Sequence, residues 1–189
     1  MYHAHRARSV ALDTTVVRNF HDAGYPTQLR QYLPQAVVIG DVQGELNRQA
    51  RTRSNLTALM RGGWPKLLPA LPKDLIERGY AIQELWLDEG DEPTAHLGEI
   101  FTVLGAHHFG VPLIITDDGD AKRLAREEEF SLPAIDTGEL ACEMVCQGKL
   151  HELHAWAIYR GTKKNPKRDK FDELLERAKT APPNPFPSS

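Results

Sequence analysis

Three short apolar runs, each followed closely by an acid, constrain this chain most. Val10-Ala11-Leu12 leads into Asp13, Ala36-Val37-Val38-Ile39 into Gly40 and Asp41, and Val111 to Thr116 into Asp117 and Asp118. Each run is long enough for a buried strand and too short for a helix. None alternates with polar residues as a half-wet strand does. Between them lie segments of helical character: Thr15 to Ala23, Thr27 to Leu33, Val42 to about Met60, and Thr94 to Phe109. In the last of these, Leu97, Ile100, Phe101 and Leu104 recur on one face. Strands apolar throughout and separated by helices specify a parallel sheet covered on both sides. Leu132 to Ile135 reads as a short last strand, followed by helices from Asp136 to about Gln147 and from His151 to Tyr159. Ala81 to Leu87 alternates and reads as a further strand at the sheet edge.

Length and charge narrow the class. At 189 residues one domain is the default. It is read as residues 1–150, with a Pro-rich insertion at about 61–93, a helical extension over 151–180 and a disordered tail over 181–189. With 23 basic against 26 acidic residues the formal charge is −3, which argues against coating nucleic acid by a bulk positive field. No apolar run reaches the roughly 18 residues of a membrane span, so no membrane partner is expected. The polar start of the chain lacks the apolar core of a signal peptide, which points to a cytoplasmic protein. Cys142 and Cys146 make no disulfide framework; with His151 and His154 they form a weak zinc pattern, and buried cysteines acting as small hydrophobes fit them better.

In a doubly wound sheet, sites lie beyond the carboxyl ends of the strands. Asp13, Asp117 and Asp118 emerge there together. Glu45 follows about one turn into the helix after the second strand, and Glu99 sits early in the helix before the third. Each has an ordinary alternative as a helix cap, a turn residue or a solvated acid. Gathered at one edge, they would repel by about 4 kcal/mol per pair at 4 Å and an effective dielectric of 20. Cations relieve that repulsion, and oxygen donors without His or Cys favour Mg²⁺ or Mn²⁺. Carboxylate-held ions of this kind cut phosphodiesters by generating hydroxide and stabilising the leaving oxygen.

The same residues resemble the ordered motifs of PIN-domain ribonucleases. Val10-Ala11-Leu12-Asp13-Thr14 is similar to the first motif and Asp41 to Leu46, with its Glu45-Leu46, to the second. His96-Leu97-Gly98-Glu99 resembles the Gly-Glu third motif of one subgroup, and Pro112 to Ala125 the fourth. The resemblance spans about Val10 to His151. It implies a three-layer α/β/α sandwich with a central parallel sheet, here with a C-terminal helical extension. It also implies a Mg²⁺- or Mn²⁺-dependent endoribonuclease of the VapC toxin kind, restrained by a protein antitoxin and often paired as a homodimer. Carried over, Asp13, Glu45, Glu99 and Asp118 are the acidic ligands. Asp117 competes with Asp118 because the doubled acid leaves the register open by one. Thr14, Thr116 and Asp120 would support the ligands. Arg48, Arg51, Lys122 and Arg123 are the candidate RNA contacts, with Lys163, Lys164, Lys167 and Arg168 a possible phosphate-binding arm or a plain linker. Trp64 is a candidate dimer contact. A non-catalytic PIN-like binding module is the alternative, and the four retained acids weigh against it. Removing those four acids changes the charge balance from −3 to +1, so the acid excess is the size of one metal pocket.

Overall fold

The computed structural model describes residues 9–39, 63–163 and 165–180. Its centre is a five-stranded, all-parallel sheet: β1 (Val10–Leu12), β2 (Ala36–Val38), β3 (Lys66–Leu67), β4 (Ile114–Ile115) and β5 (Ala134–Ile135), in the order β3-β2-β1-β4-β5. Eight described helices cover it: α1 (Thr14–Asp22), α2 (Pro26–Tyr32), α3 (Lys73–Trp86), α4 (Leu97–His108), α5 (Gly119–Ala125), α6 (Thr137–Cys146), α7 (Glu152–Thr162) and α8 (Arg168–Thr180). The expected three-layer α/β/α architecture is what forms.

Side chains alternate across each strand, so one apolar run supplies two cores. Val10 and Leu12 point into a layer made by α1, α2, α6, α7 and α8, where Phe20, Leu29, Met144, Ile158 and Phe171 are fully buried. Ala11 points the other way, into a layer with Ile100, Leu104 and Leu124 from α4 and α5. The layers follow from the chirality of parallel crossovers. From β1 the chain steps one way through α1 and α2 to β2. It later steps the opposite way from β4 through α5 to β5, which moves the connecting helix to the other face.

Several elements differ from the sequence expectation. Ala81 to Leu87 is not a strand: Ala81 to Trp86 form the second half of α3 and Leu87 is its C-cap. The alternation coexists with helical spacing of Leu75, Ile76, Ile82 and Trp86, all packed on the second core. Helix formers such as Glu77, Gln83, Glu84 and Leu85 decide between the two patterns. The edge strand is instead Lys66–Leu67, both exposed, held through Leu68 N–H donating to the Val38 carbonyl at 2.9 Å. Trp64, read as a candidate dimer contact, is part of the first core instead. It is 3% exposed, and its indole N–H donates to the Leu33 carbonyl at 2.6 Å. Val42 to Met60 lies outside the described residues.

The C-terminal helices share the first core. Phe171 lies against Trp156 and Tyr159, with the Arg168 guanidinium over Trp156 and Phe171 at 5.3 and 5.1 Å. Arg168 also pairs with Glu152 and Asp172, which pins the start of α8 to the start of α7. Cys142 is fully buried on α6, and burial pushes its thiol up to about 12. No helix among the described residues is long and apolar enough to cross a membrane.

Gly105 on α4 shows how closely this layer meets the sheet. A Cβ there would lie 2.7 to 2.9 Å from three side-chain atoms of Ile39. Gly105→Ala is therefore expected to lower stability by about 1–2 kcal/mol, the overpacking outweighing the gain of about 1 kcal/mol in helix propensity. Urea unfolding with an unchanged m-value checks it, and a stabilised variant would contradict the packing.

Candidate metal and phosphodiester site

The strand order reverses between β1 and β4, the neighbours at the middle of the sheet. A crevice opens beyond the carboxyl ends at such a reversal, because the two following helices leave on opposite faces. Asp13 and the Thr116-Asp117-Asp118 segment end these two strands. The register pairs Leu12 with Ile115. It continues one step, with Asp13 N–H donating to the Ile115 carbonyl at 3.0 Å, and so lays Asp13 beside Thr116.

Asp13 is 3% exposed and is the N-cap of α1. Its Oδ1 accepts from Thr15 N–H at 3.2 Å and from Thr14 Oγ1 at 3.3 Å; its Oδ2 accepts from Thr15 Oγ1 at 2.8 Å and Thr116 Oγ1 at 3.0 Å. Three of these four donors are hydroxyls, whose rotors can turn a proton away and release a lone pair. Thr116 Oγ1 in turn accepts Asp118 N–H at 3.2 Å. Thr116 therefore bridges the two acids across the strand-order reversal.

The doubled acid divides into two roles. Asp118 caps α5, its Oδ1 accepting Ala121 N–H at 2.7 Å, while Oδ2 makes no hydrogen bond among the described residues. Asp117 is committed on both oxygens. Oδ1 accepts Thr137 N–H at 3.0 Å, and Oδ2 accepts Asn19 Nδ2 and Thr137 Oγ1, both at 2.7 Å. It ties α1 to the first turn of α6. Burial pushes the Asp117 carboxyl above its ordinary value, against the Thr137 hydrogen bonds that pull it down. Asp136 pushes it up further, and the Lys163 charge draws it down.

The other candidates fall in different places. Glu99 is half-buried in the first turn of α4, behind His96, which caps that helix in the left-handed region at φ 64°. Asp120 pairs with Arg123 at 3.0 Å on the outer face of α5, where Arg123 is mostly exposed. Lys122 pairs with Asp136 at 3.2 Å, the two side chains 21% and 13% exposed, so its charge is already answered inside the protein. Glu45, Arg48 and Arg51 lie outside the described residues. Among the described residues alone, no three His, Cys, Asp or Glu side chains come together as a metal-holding group.

No family model, no curated protein and no solved structure matches the chain. The site therefore stands on its own chemistry.

Sequence reasoning missed Asp136, Thr137, Asn19 and Thr15. Asp136 obeys the rule that singled out Asp13: it directly follows a strand, caps the next helix and forms a full capping box with Glu139. Thr15 follows from capping geometry, which turns the residue after N1 back toward the cap. The Asn19 and Thr137 contacts to Asp117 are long-range and leave no local signal.

Proposed function

We propose that the chain is a divalent-metal-dependent endoribonuclease of the PIN kind, working in the cytoplasm and held in check by a protein antitoxin. One observation carries the reading. Asp13 and Asp118 end the two strands that flank the strand-order reversal, joined through the Thr116 hydroxyl. Among the described residues the groups bonded to the two carboxylates are oxygen and backbone nitrogen, with no His or Cys, and hard oxygen donors of this kind suit Mg²⁺ or Mn²⁺. Asp13 and Asp118 would hold such an ion, which would supply water activation and charge neutralisation at a phosphodiester.

The chain's residues do the rest by position. Asp118 offers Oδ2 to the crevice while Oδ1 holds α5 in place. Asp13 is held in orientation by Thr14, Thr15 and Thr116, and rotation of their hydroxyls alone would free a lone pair of its carboxylate. On this reading Glu99, and Glu45 outside the described residues, would be the remaining ligands that the resemblance implies. Asp117, tied on both oxygens, holds α1 to the start of α6.

The test is cleavage of RNA by the purified protein with Mg²⁺ or Mn²⁺, and its loss on chelation. Glu45→Gln and Glu99→Gln are each expected to lower cleavage by about tenfold to a thousandfold, with binding retained. RNA binding without cleavage by the parent protein would establish the non-catalytic reading instead.

A further inference from the structure

The cations expected to meet RNA beside the aspartates are engaged elsewhere: Lys122 with Asp136, and Arg123 with Asp120. The C-terminal extension brings a further cation to the same edge. Asp136 directly follows β5, so α6 starts at the carboxyl edge of the sheet and runs away from it. α7 comes back antiparallel. A Cβ on Gly138, in the first turn of α6, would lie 2.7 Å from the Tyr159 ring in the last turns of α7. The end of α7 is therefore beside the helix start whose Thr137 N–H donates to Asp117.

Lys163 is the C-cap of α7 at this place. It is half-buried, with its ammonium 6.0 Å from the Tyr159 ring centroid. The ring faces a cation there, which holds the stem of the lysine without using its N–H donors. Among the described residues Lys163 makes no ion pair or hydrogen bond.

We propose that Lys163 binds a phosphodiester of the RNA strand next to the scissile bond, making the α7–α8 extension part of the substrate site. This rests on the ribonuclease reading. The strand would then cross from the Asp13–Asp118 crevice over the start of α6 to the end of α7. Lys163 acts there as a point charge with three donors, suited to a backbone phosphate rather than to a base edge. Its contribution is independent of RNA sequence.

The experiment measures affinity for a short single-stranded RNA across a salt series, in the full chain carrying Asp13→Asn so that no cleavage intervenes. Lys163→Gln is expected to lower affinity about three- to tenfold and the salt slope by about 0.7, the value for one lost phosphate contact on a single strand. Lys163→Arg retains the slope. Lys73→Gln, an exposed lysine paired with Glu77 on α3, leaves both unchanged and controls for net charge. In the active chain Lys163→Gln raises KM and leaves kcat within about twofold. A parent that cleaves RNA while Lys163→Gln keeps its slope and KM overturns the Lys163 assignment alone. A parent that neither binds nor cleaves RNA overturns the ribonuclease reading and this one with it.

Discussion

Asp13→Asn is expected to cut metal-dependent RNA cleavage by about a thousandfold or more, equivalent to about 4 kcal/mol of transition-state stabilisation. The protein should stay folded. Asn is as good an N-cap as Asp, so the hydrogen bond from Thr15 N–H to Oδ1 survives. The new amide meets Thr15 Oγ1 and Thr116 Oγ1, which can rotate to accept instead of donate. The expected stability change is within about 1 kcal/mol, or a few degrees in Tm. Two measurements on one sample decide it: initial cleavage rate in Mn²⁺, and thermal unfolding. Full cleavage by a folded Asp13→Asn protein removes the metal site from this edge of the sheet. Thr116→Val is the companion variant. It deletes the bridging hydroxyl, and with it one hydrogen bond to Asp13 and the acceptor for Asp118 N–H. It should lower cleavage less than Asp13→Asn does, because the acids remain while their fixed orientation is lost.

What could be read in the sequence follows from how much each element depends on its own residues. A central parallel strand is buried on both faces, so it must appear as an uninterrupted apolar run, and the acid that ends it can emerge only at one edge. Val10 to Asp13 and Val111 to Asp118 were legible for that reason, and their meeting at the crevice followed from parallel topology. Lys66–Leu67 was not legible. Two exposed residues between Pro65 and Pro69 carry no apolar pattern, and backbone hydrogen bonds to β2 alone define them as a strand. Ala81 to Leu87 was misread because seven residues can satisfy both the two-residue and the 3.6-residue period, and only the packed face of the whole helix separates them. The fates of Lys122 and Lys163 were out of reach in another way. Each is a basic residue near the right edge. Whether its charge is free depends on an acid brought in by folding, Asp136 for Lys122, whereas the Asp120 that pairs with Arg123 lies one helical turn away.

The doubled acid yields the second large effect, because Asp117 and Asp118 should fail in opposite ways. Asp118→Asn keeps the cap on α5, since an amide oxygen accepts Ala121 N–H as a carboxylate does, and stability should hold within about 0.5 kcal/mol. It removes the charge carried by the uncommitted Oδ2, and cleavage should fall by about a hundredfold or more. Asp117→Ala should do the reverse. It strands the Asn19 amide and the Thr137 N–H and hydroxyl, with Thr137 fully buried, and should cost about 3 kcal/mol, lowering Tm by about 6–12 °C. Residual cleavage below that Tm should stay within about tenfold of the parent. Asp117→Asn separates the carboxylate's charge from its shape. Burial raises the folded-state pKa of Asp117 above the unfolded value near 3.9, so its protonated form suits the fold better than its anion. The stability it contributes is therefore present in full below about pH 3.9 and is lost as pH rises through the raised value. Asn mimics the neutral acid at every pH, and Asn19 can turn its amide to present oxygen instead of nitrogen. Asp117→Asn should thus flatten the stability profile over that window and compare better with the parent at neutral pH than at pH 4. Stability against pH for the parent and the two Asp117 variants, with cleavage rates for the Asp118 variant, tests the division. If Asp117→Asn abolishes cleavage in a stable protein while Asp118→Asn spares it, the two acids have been assigned the wrong way round.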